Sequence, residues 1–224
     1  MSPINYNRKY ENPTNLSKRQ LWLIATSAML TELNREFHDT LLPYHIFSTS
    51  ELLEKSKASL LRDWQINNVA DFNDTISYLY NEHTFAIMQN NWFSLSEPEL
   101  NKATQLTTGN TEVRNTLEIT RDYKYEKGAY GWHYGRCSWL IRHAFYNEII
   151  TEEQAWNLLE DNAKYIKNKF DSWESFALSF MIGAQYWKRN TYNELAIREF
   201  KNNVTYLLTS KNSPWSNVNW NDYE

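Results

Sequence analysis

The sequence contains few of the residues on which several protein classes depend. Its 224 residues include one cysteine, five glycines and five prolines. The single cysteine, Cys137, excludes an internal disulfide and a cysteine-rich metal site. So few glycines and prolines disfavour the many tight turns of a β-sandwich or β-barrel, and they favour long helices.

Membrane segments and basic clusters are also missing from the pattern. No apolar run approaches the ~18 residues that a membrane-spanning helix requires. Residues 1–15 lack the apolar segment of a signal peptide, so we expect a cytoplasmic protein. The net charge is −4 and no block of lysine and arginine occurs, so the chain offers no electrostatic basis for binding nucleic acid. We therefore expect neither a membrane nor a nucleic acid as its partner.

The clearest positive pattern lies between residues 130 and 187, where hydrophobic spacing predicts three consecutive helices. In the third helix, the residues that share one face are three or four positions apart: Trp173, Phe176, Phe180, Gly183 and Trp187. Aromatic side chains of this size dominate protein cores, so this face favours a core helix over an aromatic ligand cage.

The other two helices of this segment have specific features as well. Residues 151–154 (TEEQ) form a capping box that begins the second helix. In the first helix, Gly131 and Gly135 lie four residues apart beside Ser138. A stripe of small residues lets a neighbouring backbone approach, so we predict a close helix crossing here.

The rest of the chain extends the helical prediction. A capping box at residues 17–20 opens a helix that we expect to run to about Asn34. Further helices are predicted over residues 50–62 and from an N-cap at Asp71 to about residue 80. Within residues 83–127, a helix is predicted to begin at residues 96–99 (SEPE), and a mobile or variable connection with one modest helix around Val113 to Thr120 is expected between residues 107–110 and 122–128. The predicted fold class is therefore all-α, with about eight helices and no significant sheet.

We expect a single compact domain with two polar ends. The N-terminal residues 1–16 are predicted to be a flexible arm, residues 17–211 the all-α domain, and residues 212–224 a polar C-terminal tail. The tail contains Trp215 and Trp220, which we expect to dock on the body of the domain.

Several of these residues stand in an order and spacing that resemble a known family. They are Leu61-Arg62-Asp63-Trp64-Gln65-Ile66, Trp132-x-x-Gly135-Arg136, Arg142, Ile150-Thr151-x-Glu153-x-Ala155-Trp156, Ser172-Trp173-x-x-Phe176, Gly183 and Trp187. Over roughly residues 18–80 and 128–190, the chain resembles the bacterial family called domain of unknown function 1266. The resemblance implies an α-helical fold and no established activity.

Two positions depart from the pattern of that family. His133 stands where the family usually has aspartate, and Gln185 stands where it usually has arginine. If those two residues pair across helices in the family, this chain has replaced a charged pair with a weaker polar one.

Motifs for catalysis or metal binding are absent from the sequence. His133 and Cys137 share a helical face, as a base and a nucleophile would, but no orienting group or oxyanion site accompanies them. A lone cysteine in this setting is typical of a small buried hydrophobic residue. The five histidines lack metal-binding spacing, and no P-loop, G-x-G-x-x-G or G-x-S-x-G motif occurs. We predict no metal and no cofactor, and the balance is against an enzyme.

Five residues are candidates for binding a ligand or a partner: His133, Arg136, Arg142, His143 and Gln185. Arg136 and its neighbours could form an anion site. The favoured interpretation is that Arg136 pairs with a carboxylate and bridges helices, because a buried arginine is rarely left unpaired. Convergence of His133, Arg136 and His143 on one cavity would distinguish a ligand site from this structural role.

Two hypotheses of function follow. The preferred one is a non-enzymatic protein-interaction module, in concrete form an immunity or antitoxin-type protein that binds a toxin or effector. Its support is the mildly acidic charge, an aromatic content of 16% and the lack of catalytic motifs. The alternative is a small-ligand-binding protein or enzyme with a polar pocket around the helix at residues 130–145. No oligomeric state is predicted.

Overall fold

The architecture is helical throughout the residues that the structure describes. A computed structural model describes residues 10–44, 49–81, 128–188 and 194–223. Eight helices of six or more residues lie in these ranges, with one short α-helical turn and a 3₁₀ helix after them: α1 (Lys18–Ala25), α2 (Ala28–Leu33), α3 (Ser50–Trp64), α4 (Val69–Tyr80), α5 (Tyr130–Tyr146), α6 (Glu152–Lys169), α7 (Trp173–Lys188), α8 (Glu194–Thr209), α9 (Pro214–Asn217) and the 3₁₀ helix Trp220–Tyr223. These ranges contain no strand, and the predicted all-α class is confirmed. None of their helices combines the length and the apolar character needed to cross a membrane.

Helix α5 lies at the centre of the fold, since it packs against α2, α4, α6 and α7. Its contact with α7 depends on glycine. A Cβ atom added to Gly131 would lie 2.6 Å from the carbonyl oxygen of Phe176. In the opposite direction, a Cβ atom on Gly183 of α7 would lie 2.2 Å from the Cβ of Trp132. The two helices therefore cross as closely as the small-residue stripe predicted.

The helix predicted from residue 17 to about Asn34 is interrupted, so that prediction was wrong in its extent. The capping box is present, because the Ser17 hydroxyl accepts from the backbone N–H of Gln20. The interruption falls at Thr26 and Ser27, whose hydroxyl groups donate to the carbonyl oxygens three residues earlier at 2.6 and 2.8 Å. Hydroxyl groups that bond the nearby backbone in this way compete with helix hydrogen bonds. As a result α1 ends and α2 begins anew.

Side-chain caps fix where two other helices begin. In α4 the cap is Asn68, whose Oδ1 accepts from two backbone N–H groups, and Asp71 is not the cap as predicted. The Asp71 carboxylate instead accepts from the backbone N–H of Asn67 at 3.0 Å. In α6 the predicted capping box is confirmed, with reciprocal hydrogen bonds between Thr151 and Gln154.

The C-terminal tryptophans are part of the core. Trp215 stacks on Trp173 with ring centroids 5.5 Å apart, and Trp220 meets Trp22 edge-on at 5.3 Å. The indole N–H of Trp215 also donates to the carbonyl oxygen of Ala25 at 2.9 Å. The predicted docking of both tail tryptophans is confirmed, and it encloses Trp22, which is fully buried.

Two predicted segments fall wholly or partly outside the described residues. The connection at residues 83–127 lies outside them, as do residues 1–9 of the N-terminal arm. The rest of the arm is anchored, because the backbone N–H groups of Glu11 and Asn12 donate to the carboxylate of Asp39 at 3.0 and 3.2 Å.

The crossing of α5 and α7 predicts a cost for the smallest possible substitution. Gly131→Ala should lower the free energy of unfolding by about 1–3 kcal/mol, because the added methyl group meets backbone atoms that cannot rotate away. Without the crossing, the same change would raise that free energy by up to about 1 kcal/mol through helix propensity. Urea denaturation measures the difference, and Asn157→Ala at an exposed position of α6 is the control. A Gly131→Ala variant as stable as the wild type would contradict the close crossing.

Candidate functional site

A cavity of about 420 Å³ lies where α2, α3, α5, α7 and α8 approach one another. Its volume is within the range of pockets that hold small molecules, about 300–1,000 Å³. Much of its described wall is aromatic: Tyr44, Trp64, Trp132, Trp139, Trp187 and Phe200. The acidic side chains of the wall are Glu36, Asp63 and Glu199, and the basic ones are Arg136 and His143.

Arg136 is the cavity residue whose hydrogen bonding is least complete. Its guanidinium lies over the rings of Trp132 and Trp64, with 4.7 and 5.4 Å between Cζ and the ring centroids. These are cation–π distances. Its Nε is buried and has no hydrogen-bond partner, and no carboxylate of the described residues pairs with it. The expected ion pair is therefore wrong for the described residues, since the guanidinium lies over two indole rings and bonds to His133 instead of a carboxylate.

Burial affects the charge of Arg136 without removing it. Loss of hydration lowers the pKa of this guanidinium to about 10, against the opposing influence of Cys137 and Tyr78. At neutral pH the group is still protonated. The cavity therefore has a permanent positive charge at a poorly hydrated position, which favours a negatively charged group beside it.

His133 positions Arg136 and stays neutral. Its Nδ1 accepts from the Arg136 Nη2 at 3.2 Å. Burial and then the charge of Arg136 lower the pKa of His133 to about 2, so its ring is uncharged at physiological pH. His133 thus provides a neutral acceptor to Arg136, where an aspartate at the same position would provide a counter-charge.

His143 and Glu36 form a buried pair at the edge of the cavity. The His143 Nε2 donates to one carboxylate oxygen of Glu36 at 3.0 Å, and the indole N–H of Trp139 donates to the other at 2.8 Å. The Trp139 and His143 rings are 3.8 Å apart between centroids. This pair fixes the orientation of Trp139 in the cavity wall and occupies both oxygens of the carboxylate.

Arg142 lies in the core and is not part of the cavity. Its guanidinium is fully buried and donates to the hydroxyl groups of Ser27 and Thr31 at 2.8 and 2.7 Å. Its other N–H groups donate to backbone carbonyl oxygens in the segment 37–42, including Leu41 at 3.2 Å and Thr40 at 3.0 Å. Burial lowers the pKa of Arg142 to about 10, while Glu36 and Asp39 act in the opposite direction. Arg142 is therefore a structural residue, which corrects its assignment as a ligand-binding candidate.

Trp187 departs from the prediction made from the sequence, whereas Cys137 agrees with it. Trp187 is 57% exposed and lines the cavity, so the aromatic face of α7 is core only as far as Gly183. Cys137 is fully buried, which confirms the prediction of a small buried residue, and burial raises the pKa of its thiol to about 12. No group of three or more His, Cys, Asp or Glu in the described ranges could hold a metal ion.

The predicted site residues are thus only partly brought together. Arg136 and His143 line the cavity, and His133 contacts Arg136 without being part of the cavity wall. Arg142 points elsewhere, and the side chain of Gln185 lies outside the described residues. Trp64, Trp139 and Glu36 are cavity residues that sequence reasoning missed. Of these, only Trp64 had a signal, since it lies in the segment 61–66 that carries part of the family resemblance.

The role assigned to Arg142 predicts a large loss of stability on substitution. Arg142→Met should lower the free energy of unfolding by about 3–5 kcal/mol, because the carbonyl oxygens of segment 37–42 would lose their donors while staying buried. Arg62→Met is the matched control, since Arg62 is an exposed arginine paired with Asp63, and it should change the free energy by less than about 1 kcal/mol. Urea denaturation of both variants tests this. Equal small losses would refute the structural role of Arg142.

The low pKa of His133 predicts a specific dependence of stability on pH. An unfolded histidine binds a proton below about pH 6.5, whereas folded His133 binds none until the pH approaches 2. Between these values the unfolded state holds one more proton, so acid favours unfolding by about 1.4 kcal/mol per pH unit. Stability is thus complete above pH 6.5 and is lost as the pH falls.

His133→Asn removes this contribution and leaves the other titrating groups in place. The wild type should therefore lose unfolding free energy faster than His133→Asn as the pH is lowered from 7 to 5. Chemical denaturation at several pH values gives the comparison. Parallel curves for the two proteins would show that His133 titrates normally in the folded state.

A family model accounts for most of the chain. No curated protein and no solved structure matches the chain at a significant level. The family described as "Protein of unknown function (DUF1266)" matches residues 59–220. This range begins near the end of α3, contains α4 to α9, and includes Trp64, Arg136 and Trp187. Because the match covers well over half of the sequence, the chain belongs to the DUF1266 family of proteins of unknown function.

Proposed function

We propose that the protein binds a small organic anion in the cavity and that Arg136 holds the anionic group. The observation that carries this proposal is the state of Arg136. It is charged, it lines a cavity of ligand size, and no carboxylate of the described residues neutralises it. The resemblance gives no activity, so the proposal stands on this geometry.

A poorly hydrated guanidinium is energetically unfavourable. Removing a charged group from water costs several kcal/mol unless an opposite charge and hydrogen bonds compensate. Contacts with Trp132 and Trp64 compensate only in part, since a cation–π contact contributes about 0.5–2 kcal/mol. An anion in the cavity would supply the missing charge and accept from the remaining N–H groups. Arg136 is therefore preorganised for an anionic ligand.

Binding is a better account of the cavity than catalysis. The histidine of its wall, His143, donates to Glu36, and the His133 ring stays neutral down to about pH 2. The buried Cys137 thiol is held protonated. Neither His133 nor Cys137 is poised near neutral pH as a base or a nucleophile would need to be, and the Nε2 of His143 is engaged by Glu36. We accordingly propose a small-ligand-binding protein and not an enzyme.

The protein-interaction hypothesis stays a prediction, together with its toxin or effector partner and the cytoplasmic location. The hydrophobic side chains that are most exposed in the described ranges, apart from Trp187, include Leu61, Tyr78 and Tyr165. Single exposed hydrophobic residues are ordinary on monomeric proteins and do not select a partner. The cavity provides the more specific feature.

The anion proposal predicts that binding depends on Arg136. A panel of small organic anions, with carboxylate and phosphate groups on aromatic and aliphatic frames, should include at least one that raises the melting temperature of the wild type. A ligand present at 100 times its Kd stabilises the folded state by about 2.7 kcal/mol. The same anion should not raise the melting temperature of Arg136→Met.

Two further variants separate charge from packing. His133→Asp places a carboxylate beside the guanidinium of Arg136, so it should weaken anion binding while keeping the arginine. Arg19→Met removes an arginine that pairs with Glu160 away from the cavity, and it should bind as the wild type does. If no anion stabilises the protein, or if one stabilises all four proteins equally, the proposal is wrong.

A further inference from the structure

The charges around the cavity limit the class of anion that it can accept. Arg136 is the only arginine or lysine in its described wall, which also contains three carboxylates. Glu36 accepts from Trp139 and His143, and Asp63 accepts from Arg62 and Ser59, so both are bonded within the protein. A dianion such as a phosphate monoester would have one cation to bind and several like charges nearby. A monoanion matches the single guanidinium better.

The geometry of a guanidinium selects among monoanions. Its N–H groups form a planar fork that fits the two oxygens of a carboxylate. One N–H of the Arg136 Nη2 is used by His133, and the Nε is buried without a partner. The hydrogen bonds of the described residues leave the N–H groups of Nη1 and the second N–H of Nη2 for a ligand. A carboxylate is the monoanion that uses such a fork best.

The walls select the rest of the ligand. Trp187 lies at the cavity with more than half of its surface open, and its ring centroid is 6.0 Å from that of Trp132. Trp64 and Trp139 also line the cavity, and their ring centroids are 6.2 Å apart. Indole faces pack most favourably against other flat rings in stacked or edge-on arrangements. The cavity volume of about 420 Å³ has room for a fused two-ring system with its carboxylate.

We infer that the ligand of this cavity is an aromatic monocarboxylate, whose carboxylate binds Arg136 and whose ring packs against Trp187. The inference rests on the proposed function and adds the chemical class of the ligand to it. It also assigns a role to Trp187, which determines the preference for a ring.

Isothermal titration calorimetry with three matched probes tests this inference. Naphthoate has the ring and the carboxylate, naphthyl phosphate has the same ring and a dianion, and decalin carboxylate has the same acid on a saturated frame. Naphthoate should bind at least about tenfold more tightly than naphthyl phosphate. It should bind about three- to tenfold more tightly than decalin carboxylate, as expected for one aromatic stack. Trp187→Leu should make naphthoate and decalin carboxylate bind equally tightly, and it should leave the preference for naphthoate over naphthyl phosphate unchanged.

The outcomes separate this inference from the function on which it rests. The inference of an aromatic monocarboxylate is wrong if naphthyl phosphate or decalin carboxylate binds as tightly as naphthoate. In that case, binding that depends on Arg136 still supports an anion site. Binding of naphthoate that is equal in wild type and Arg136→Met overturns both. The absence of binding by all three probes overturns the inference, since naphthoate represents the class. Circular dichroism of each variant establishes that it is folded.

Discussion

The guanidinium of Arg142 connects helix α5 to residues 27–42, a stretch about 100 residues earlier in the sequence. From the C-terminal part of α5 it binds Ser27 at the break between α1 and α2, Thr31 within α2, and carbonyl oxygens of the segment 37–42. One side chain thus donates to six acceptors, four of them in fully buried hydrogen bonds. Without it, the break and the segment would both have to find other partners in a closed core.

The cavity depends on this arrangement. Glu36 and Tyr44 lie on either side of the segment that Arg142 holds, and both line the cavity. Glu36 then fixes Trp139 and His143 through its two carboxylate oxygens. A structural arginine thus determines where the wall of the candidate site stands, although it never contacts the cavity itself. Arg136 lies less than two turns away on the same helix. Its guanidinium has one hydrogen-bond acceptor among the described residues, whereas that of Arg142 has six.

What the sequence predicted well was local. The capping boxes at residues 17–20 and 151–154, and the glycines that permit the α5–α7 crossing, act within one or two turns of helix or through the absence of a side chain. The interruption at Ser27 could not be predicted in this way, because the hydroxyl that breaks the helix is also held by Arg142, which is 115 residues away. Periodicity also placed Trp187 with the core residues of α7, whereas that end of the helix lies beside a cavity.

The candidate site was predicted less completely, for a physical reason. Its key contact is between the guanidinium of Arg136 and the indole of Trp64, which is on another helix and 72 residues earlier. Neither spacing nor composition indicates which side chains meet across helices. For an arginine the expectation of a carboxylate partner is sound in general, but no carboxylate of the described residues pairs with Arg136, and indole rings and His133 contact it instead.

The central claim is that Arg136, unlike Arg142, is kept for a ligand and not for stability. The most direct measurement is the free energy of unfolding of Arg136→Met without ligand, from urea denaturation. The account predicts a value within about 1 kcal/mol of the wild type or above it, because a hydrophobic side chain of similar volume replaces a poorly hydrated charge that the indole rings and His133 compensate only in part. A loss of about 3 kcal/mol or more, of the size expected for a residue that holds the fold together, would contradict it.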